Sequence, residues 1–349
     1  MALSAAKRDI IVVGASAGGL EALRVLLSGL PADFPASVFV VQHVGAGSHL
    51  ARILDAASAL PVVNAATGMV FEHGRVYVAI PDRHMLLHGD HILLRRGPRE
   101  NLSRPAIDPL FRSAAVSCGS RVTGVVLSGA LSDGTAGLLA IKRCGGTAIV
   151  QEPADAIVAS MPCNALRYVD VDRTVPVGDM AALLSSVVRS PAPPTPPIPL
   201  GIRLEAAIAA QELGDMMTED VLGRPSRFTC PECHGALWEI EDGDLLRYRC
   251  HVGHAFTSDV VLQSQGEEVD RLLDTLLRAH RERAALVGRM AENERRQGRL
   301  DLAGQLERRA ADYEHDARIV EGLTRRGVGD REVVTSRSRQ DTAEHEQDA

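Results

Sequence analysis

Lysine is nearly absent from the chain. Only Lys7 and Lys142 stand among 38 basic residues, a scarcity read as composition rather than mechanism. Long hydrophobic runs are missing too: no stretch reaches about 18 uninterrupted apolar residues, so no membrane-spanning helix is expected. Positive charge is short where nucleic acid would need it. Residues 201–349 carry 21 basic against 30 acidic groups, whereas binding phosphates requires an excess of Lys and Arg; nucleic acid is not an expected partner. Cysteine is too sparse for a disulfide scaffold. Cys118, Cys144 and Cys163 are isolated among small or apolar neighbours, and Cys230, Cys233 and Cys250 are clustered. That usage points to a reducing cytoplasm and one metal site. With 349 residues, 45% of them apolar, there is enough material for two or three domains with real cores.

Residues 9–13 (DIIVV) form a continuous β-branched run, as in a strand buried on both faces. The run leads directly into Gly14–Gly19, so it reads as a strand rather than a signal peptide. Helical spacing follows over 18–30, then strand signals at 37–41, 75–80, 91–94, 122–128 and 147–151, with helical patterns near 107–118 and 135–143. This alternation predicts an α/β fold: a doubly wound, mainly parallel sheet with helices on both faces.

Residues 190–199 (SPAPPTPPIP) hold six prolines and read as a semi-rigid linker at a domain boundary. The expected division is a catalytic domain over 1–189, the linker over 190–200, a short helix (about 203–221) and Cys-rich module within 201–258, and a helical hairpin over 259–327 broken at Gly298. The hairpin's apolar stripe runs through Val269, Leu273, Leu276, Val287 and Met290, and resumes after Gly298 with Leu302, Leu306, Ala310, Tyr313, Val320 and Leu323. The polar tail from 328 is expected to be disordered.

Gly14-Ala15-Ser16-Ala17-Gly18 has the Gly-x-Ser-x-Gly form that holds a serine hydroxyl clear of a sharp strand-to-helix turn. A phosphate loop is the rival reading, but the dinucleotide fingerprint needs a glycine at position 16. A serine nucleophile needs a base, and the base an orienting carboxylate. His43 follows the second strand and Asp133 follows a later one, which places all three at C-terminal strand ends, where open α/β sheets bind ligands. Asp108 is a competing carboxylate, read as a helix-start residue. His84, His88 and His91 lack cysteine or carboxylate at ligand spacing and read as a solvated hairpin.

The segments IIVVGASAGGLEAL, VVQHV, VYVAIPDRHML, RPAIDPLFRSAA, VVLSGALSDGTAGL and QEPADAIVASMP run in order through the first 180 or so residues. Together they resemble the catalytic domain of CheB-type chemotaxis protein-glutamate methylesterases. The resemblance implies Ser16 as nucleophile, His43 as general base and Asp133 as the residue orienting it. It further implies hydrolysis of glutamate γ-methyl esters on chemoreceptors with release of methanol, deamidation of receptor glutamines in some members, and no cofactor for catalysis. Where the family often has Gly-Met-Gly, this chain has Gly129-Ala130-Leu131. The backbone N–H of Ala130, with that of Ala17, is the expected oxyanion donor, and the change alters the pocket wall. The family's receiver domain is missing ahead of residue 9, so phosphorylation of an attached receiver is not the expected control.

Cys230-Pro-Glu-Cys233 is followed by Cys250-His-Val-Gly-His254, two chelating turns separated by a strand-like stretch. The set suits a structural Zn²⁺ in a zinc-ribbon-like module. The fourth ligand is either His251 or His254. His254 is preferred, because adjacent Cys250 and His251 can hardly both point inward, and relatives with this extension end in a similar Cys-x-Val-Gly-His. No His-Glu-x-x-His pattern suggests a catalytic metal.

Three functions compete: a serine esterase acting on a methylated chemoreceptor-type protein; a catalytically altered regulatory scaffold working through its zinc and helical modules; and a nucleotide-binding βαβ domain. The C-terminal half is expected to dock a regulatory partner or cover the active-site edge. A chain ending near residue 190 is then expected to keep its esterase activity.

Overall fold

The computed structural model describes residues 6–43, 45, 49–211 and 223–344, with side chains through 325. The chain divides into two compact units, 1–261 and 262–349.

In the first unit, β1 (Ile10–Ala15), β2 (Ser37–Gln42), β3 (Val62–Asn64) and β4 (Arg75–Val78) lead to a β5–β6 hairpin (His84–His88 and His91–Arg95). β7 (Val122–Val126), β8 (Thr147–Gln151) and β9 (Arg173–Val175) follow. Seven of these strands form one sheet in the order β3-β4-β2-β1-β7-β8-β9, and every pairing in it is parallel. Both faces are covered, which is why the strands read as unbroken apolar runs. Ile10 and Val12 point into a core shared with α3 (Ile107–Cys118) and α4 (Thr135–Arg143). Ile11 and Val13 point the other way, toward α1 (Gly19–Ser28) and α6 (Val177–Val187). The strand order reverses between β1 and β7, so their C-terminal ends flank the crevice where such sheets place ligands.

The chain does not divide at the proline-rich stretch. That stretch is strapped to the sheet domain: Ala192 N–H donates to Ala6 O at 2.7 Å, Ser120 N–H donates to Thr195 Oγ1 at 3.1 Å, and Ser120 Oγ donates to Pro193 O. Extended polyproline leaves its carbonyls unbonded, and here Ser120 Oγ and Arg8 Nη1 donate to two of them, Pro193 O and Pro191 O. Beyond it, α7 (Leu200–Ala210) packs on α3. Of the helix expected over 203–221, residues 212–221 lie outside the described residues. An antiparallel sheet follows, β10 (Arg224–Thr229), β11 (Ala236–Asp242), β12 (Leu245–Cys250) and β13 (Ala255–Thr257). Its core of Leu237, Tyr248, Phe256 and the buried Cys230 and Cys250 takes in Leu102 and Leu131 of the larger domain.

The second unit is a helical hairpin made by α8 (Ser258–Arg296), whose first turn closes the first unit, and α9 (Leu300–Glu344). Gly298 turns between them at φ +77°. Helical backbone continues through 328–344, where a disordered tail is expected from polarity; this stretch contains no proline to stop it. The seam between the helices uses Ala284, Ala291, Ala303, Ala317 and Val320, all buried. Arg281–Glu321 at 3.1 Å and His280–Asp316 at 3.6 Å span it. Small residues let the helices approach closely, and the larger apolar side chains Val269, Leu276, Met290, Leu302 and Leu323 stay exposed.

Candidate active site

Ser16 stands one residue past β1. Its own N–H donates to Ser128 O at 3.0 Å, which ties it to the chain end of β7, and Gly19 N–H returns to Ser16 O at 2.9 Å. Gly18, at φ +72°, makes the turn into α1, a conformation that carries no steric penalty for glycine. Gln42, the last residue of β2, donates its Nε2–H to the Ser16 carbonyl at 2.6 Å. The next residue is His43, whose N–H donates to Ala15 O at 3.2 Å. The β1–β2 pairing thus carries serine and histidine side by side.

His43 Nδ1 lies 3.0 Å from Ser16 Oγ, and Nε2 lies 2.7 Å from Asp133 Oδ2. Asp133 is buried, and its two oxygens are saturated with donors. Oδ2 also accepts Ile107 N–H at 2.7 Å. Oδ1 accepts Asn101 Nδ2 at 3.0 Å, Asp108 N–H at 3.2 Å and Gly134 N–H at 3.0 Å. Burial works against the Asp133 charge, but the bonds from His43, Ile107 and Asn101 outweigh it and hold the carboxyl below its usual range. A group held ionised beside an imidazole stabilises the imidazolium that forms when the histidine takes a proton.

Asp108 does not reach His43 among its hydrogen bonds; it accepts Gly137 N–H at 2.6 Å and Asn101 Nδ2 at 3.0 Å. Burial, reinforced by the neighbouring Asp133 charge, pushes it up to about 7. It is the helix-start residue expected of it, in a dry environment. His84 corrects the solvated-hairpin reading. His88 and His91 are exposed, whereas His84 is fully buried, with Nε2 2.8 Å from Pro98 O and Nδ1 accepting Ala106 N–H at 3.2 Å. It pins the loop that enters α3.

The amides of Gly129 and Leu131 are committed to Val158 O and Ser160 Oγ, both at 2.9 Å. Those of Ala17 and Ala130 have no hydrogen-bond acceptor among the described residues. Gly129 is needed because a Cβ there would stand 2.9 Å from the Ser16 Cβ and 2.1 Å from Met161 Sδ. The backbone of 129–130 therefore passes directly against the serine. An open cleft of about 320 Å³ beside His43 is lined by Arg99, Leu102, Ser103 and Arg104.

In the small antiparallel sheet, Cys230, Cys233, Cys250 and His254 offer ligand atoms that all lie within 4.8 Å of one another. Cys233 Sγ–Cys250 Sγ is 3.6 Å, Cys250 Sγ–His254 Nδ1 3.4 Å and Cys230 Sγ–His254 Nδ1 3.7 Å. Thiolates about 2.3 Å from a tetrahedral zinc stand about 3.8 Å apart, so the set fits that ion. His251 is exposed and outside the cluster, and the fourth donor in it is His254.

Sequence reasoning missed Asn101 and the buried ions behind it. Arg112 pairs with Glu100, and Arg247 and Arg249 both bind Glu205. No periodicity marks these residues; only long-range contact reveals them.

A family profile described as CheB methylesterase matches residues 11–184. A Leptospira interrogans protein, named for both protein-glutamate methylesterase and protein-glutamine glutaminase, is 39% identical over 178 residues, 50% of this chain and 92% of that one. A protein-glutamate methylesterase/protein-glutamine glutaminase of Anaeromyxobacter dehalogenans is 40% identical over 187 residues, 53% of this chain and 55% of that one. The crystal structure of the Thermotoga maritima CheB methylesterase catalytic domain aligns with TM-score 0.50 at 32% identity, covering 52% of this chain and 98% of that one.

Proposed function

The chain belongs to the CheB methylesterase family, and from that premise we propose that Ser16, His43 and Asp133 hydrolyse glutamate γ-methyl esters on a methylated chemoreceptor-type protein. The observation that carries this reading is the pair of contacts made by one imidazole, 3.0 Å to Ser16 Oγ and 2.7 Å to Asp133 Oδ2. His43 Nδ1 takes the Ser16 proton as Oγ attacks the ester carbonyl, while Nε2–H stays on Asp133. The oxyanion is received by the Ala17 and Ala130 amides, next to the helix N-terminus of α1. His43 then protonates the departing methoxide, methanol leaves, and a water activated by the same nitrogen frees Ser16 and the glutamate. The same acyl transfer on a glutamine side chain releases ammonia. This chemistry uses no cofactor.

The Cys230, Cys233, Cys250 and His254 set holds a structural Zn²⁺ in this reading, which closes the small sheet around its ligands. Six free cysteines suit a reducing cytoplasm; no described helix is long and apolar enough to cross a membrane. The exposed apolar side chains of α8 and α9 are assigned to a regulatory protein partner. The scaffold alternative would leave a formed triad without use, and a nucleotide site would leave Ser16 where a glycine is needed. Methanol release from methylated receptor by the purified protein tests the function, with Ser16→Ala as control. Turnover that survives this substitution overturns it.

A further inference from the structure

We propose that the small Cys/His sheet is a working part of the esterase: its last strand positions Asn101, and through Asn101 the carboxylate of Asp133. The proposal rests on the esterase reading of Ser16.

Asn101 is buried between two groups of donors and acceptors that fix its amide. Nδ2 faces Asp133 Oδ1 and Asp108 Oδ2, each at 3.0 Å. Oδ1 accepts Thr257 N–H at 3.2 Å. The Asn101 N–H donates to Ala255 O at 2.8 Å. Both of those anchors belong to β13, which begins directly after the ligand-set residue His254. A third link runs to the residue before the carboxylate: Thr257 Oγ1 lies 2.6 Å from Ser132 Oγ, both fully buried. Remove β13 and the Asn101 amide loses the acceptor-side bond that keeps its N–H pair turned toward Asp133.

The backbone points the same way. Asn101 and Leu102 sit at φ +48° and +62°, and Leu131, two residues before Asp133, at +65°. Asparagine tolerates the left-handed region, but leucine does so only when its surroundings hold it. Leu102 and Leu131 both pack on the core of the Cys/His sheet, so that sheet holds the two loops that carry Asn101 and Asp133.

Charge secures the docking. Glu100 binds Arg112 of α3 and lies 3.5 Å from Arg249 of β12. Glu205 of α7 takes Arg247 and Arg249, each at 2.9 Å. Arg249 immediately precedes Cys250. Closure of the Cys/His set therefore fixes both the strand that carries the arginines and the strand that holds Asn101. Asn101 touches neither Ser16 nor substrate; it is a positioning residue for a carboxylate that must stay in line with His43 Nε2.

The test uses the full-length protein and a small activated ester such as p-nitrophenyl acetate, with zinc content, circular dichroism and the fluorescence of Trp238 recorded in parallel. Trp238 is the chain's one tryptophan and lies on β11, so it reports the state of this sheet. Asn101→Ala is expected to lower kcat between about tenfold and a hundredfold with KM unchanged, as a displaced catalytic group does. Cys233→Ser is expected to lose zinc, shift the Trp238 emission and lower kcat by a similar factor. The double variant should lose no more than the worse single one, because both act along one path. A folded, zinc-free Cys233→Ser protein with wild-type kcat overturns the proposal. If Cys233→Ser does not fold, Thr257→Pro, which removes the N–H that Asn101 Oδ1 accepts, carries the test: a kcat loss of at least about threefold supports the proposal and a wild-type kcat overturns it. A wild-type chain with no Ser16-dependent turnover on any ester overturns the esterase reading, and the proposal with it; the other outcomes concern the Cys/His sheet alone.

Discussion

His43 faces Ser16 with Nδ1 and Asp133 with Nε2, the reverse of the nitrogen order in the chymotrypsin triad. The reversal follows from where each group enters. Serine and histidine end adjacent parallel strands, and the carboxylate arrives from the far side of β1, on the loop after β7. The requirement is only that one nitrogen be free to take the serine proton while the other is held as N–H by a carboxylate.

Two substitutions separate nucleophile from orienter. Ser16→Ala should lower methanol release at least about 10³-fold, leaving what binding and oxyanion donors supply. Asp133→Asn should lower kcat by about 10⁴-fold, because an amide favours the wrong histidine tautomer. It should also destabilise the fold, since an amide nitrogen must then face donors at His43, Ile107, Asn101, Asp108 or Gly134. Steady-state kinetics and urea unfolding read the two effects. An Asp133→Asn enzyme of wild-type rate contradicts the assignment.

One zinc per chain is expected, held by Cys230, Cys233, Cys250 and His254. Native mass spectrometry should show one ion on the wild type and on His251→Ala, and none on Cys233→Ser. A wild-type chain that is folded and metal-free is incompatible with this site.

The pH dependence of stability should carry two opposed slopes. Burial pushes the His84 ring below its usual range, so the folded chain binds fewer protons there than the unfolded chain. The stability from this group is present above about pH 6.5 and lost as pH falls. Asp108 is pushed up to about 7, so the folded chain binds more protons than the unfolded one between about pH 4 and 7, and stability falls as pH rises through that window. His84→Gln, which can keep the bonds to Pro98 O and Ala106 N–H without titrating, should remove the loss on the acid side. Asp108→Asn should remove the decline toward neutrality. Urea midpoints from pH 5 to 8 measure both; slopes unchanged in these variants contradict the assignment.

Much of the fold and of the site is legible in the amino-acid sequence. The β-branched runs mark strands covered on both faces, and the strand ends lead to Ser16, His43 and Asp133. The cysteine spacing leads to the four clustered donors, of which local chain geometry favours His254 over its neighbour. What stays hidden depends on contacts far apart in sequence. The proline-rich stretch has the composition of a spacer, and only the bonds it makes with Ser120 and with the Ala6 carbonyl show that it is a strap. Asn101 sits in a polar loop with no periodic signal, and its hold on Asp133 becomes visible only when Thr257 is brought to it from 156 residues away. The hairpin stripe is only partly legible for a related reason. Helical spacing picks out Val320, which joins the buried seam, but alanines form the rest of that seam and leave Val269, Leu276, Met290, Leu302 and Leu323 exposed.

The strap and the buried charges also reverse the expectation for a chain ending near residue 190. Such a chain lacks Glu205, Arg247, Arg249 and β13. Arg112, about 1% exposed, would be left with Glu100 and without Glu205, which lies 3.9 Å away in the full chain. The α7 face on α3 would be uncovered. Removing one member of a buried charge cluster is costly because the remaining charge keeps its desolvation penalty without its partner. Glu205→Gln in the full chain, which leaves Arg247 and Arg249 short of a carboxylate, should therefore lower unfolding free energy by about 3–5 kcal/mol. The truncated chain removes these arginines as well as Glu205, so its main defects are the uncovered apolar face and the loss of the strand that holds Asn101. It should show weakened or incomplete folding by circular dichroism and little hydrolysis of a small activated ester. A chain ending at 190 that folds and turns over at the full-length rate would show that the first 190 residues hold Asp133 unaided.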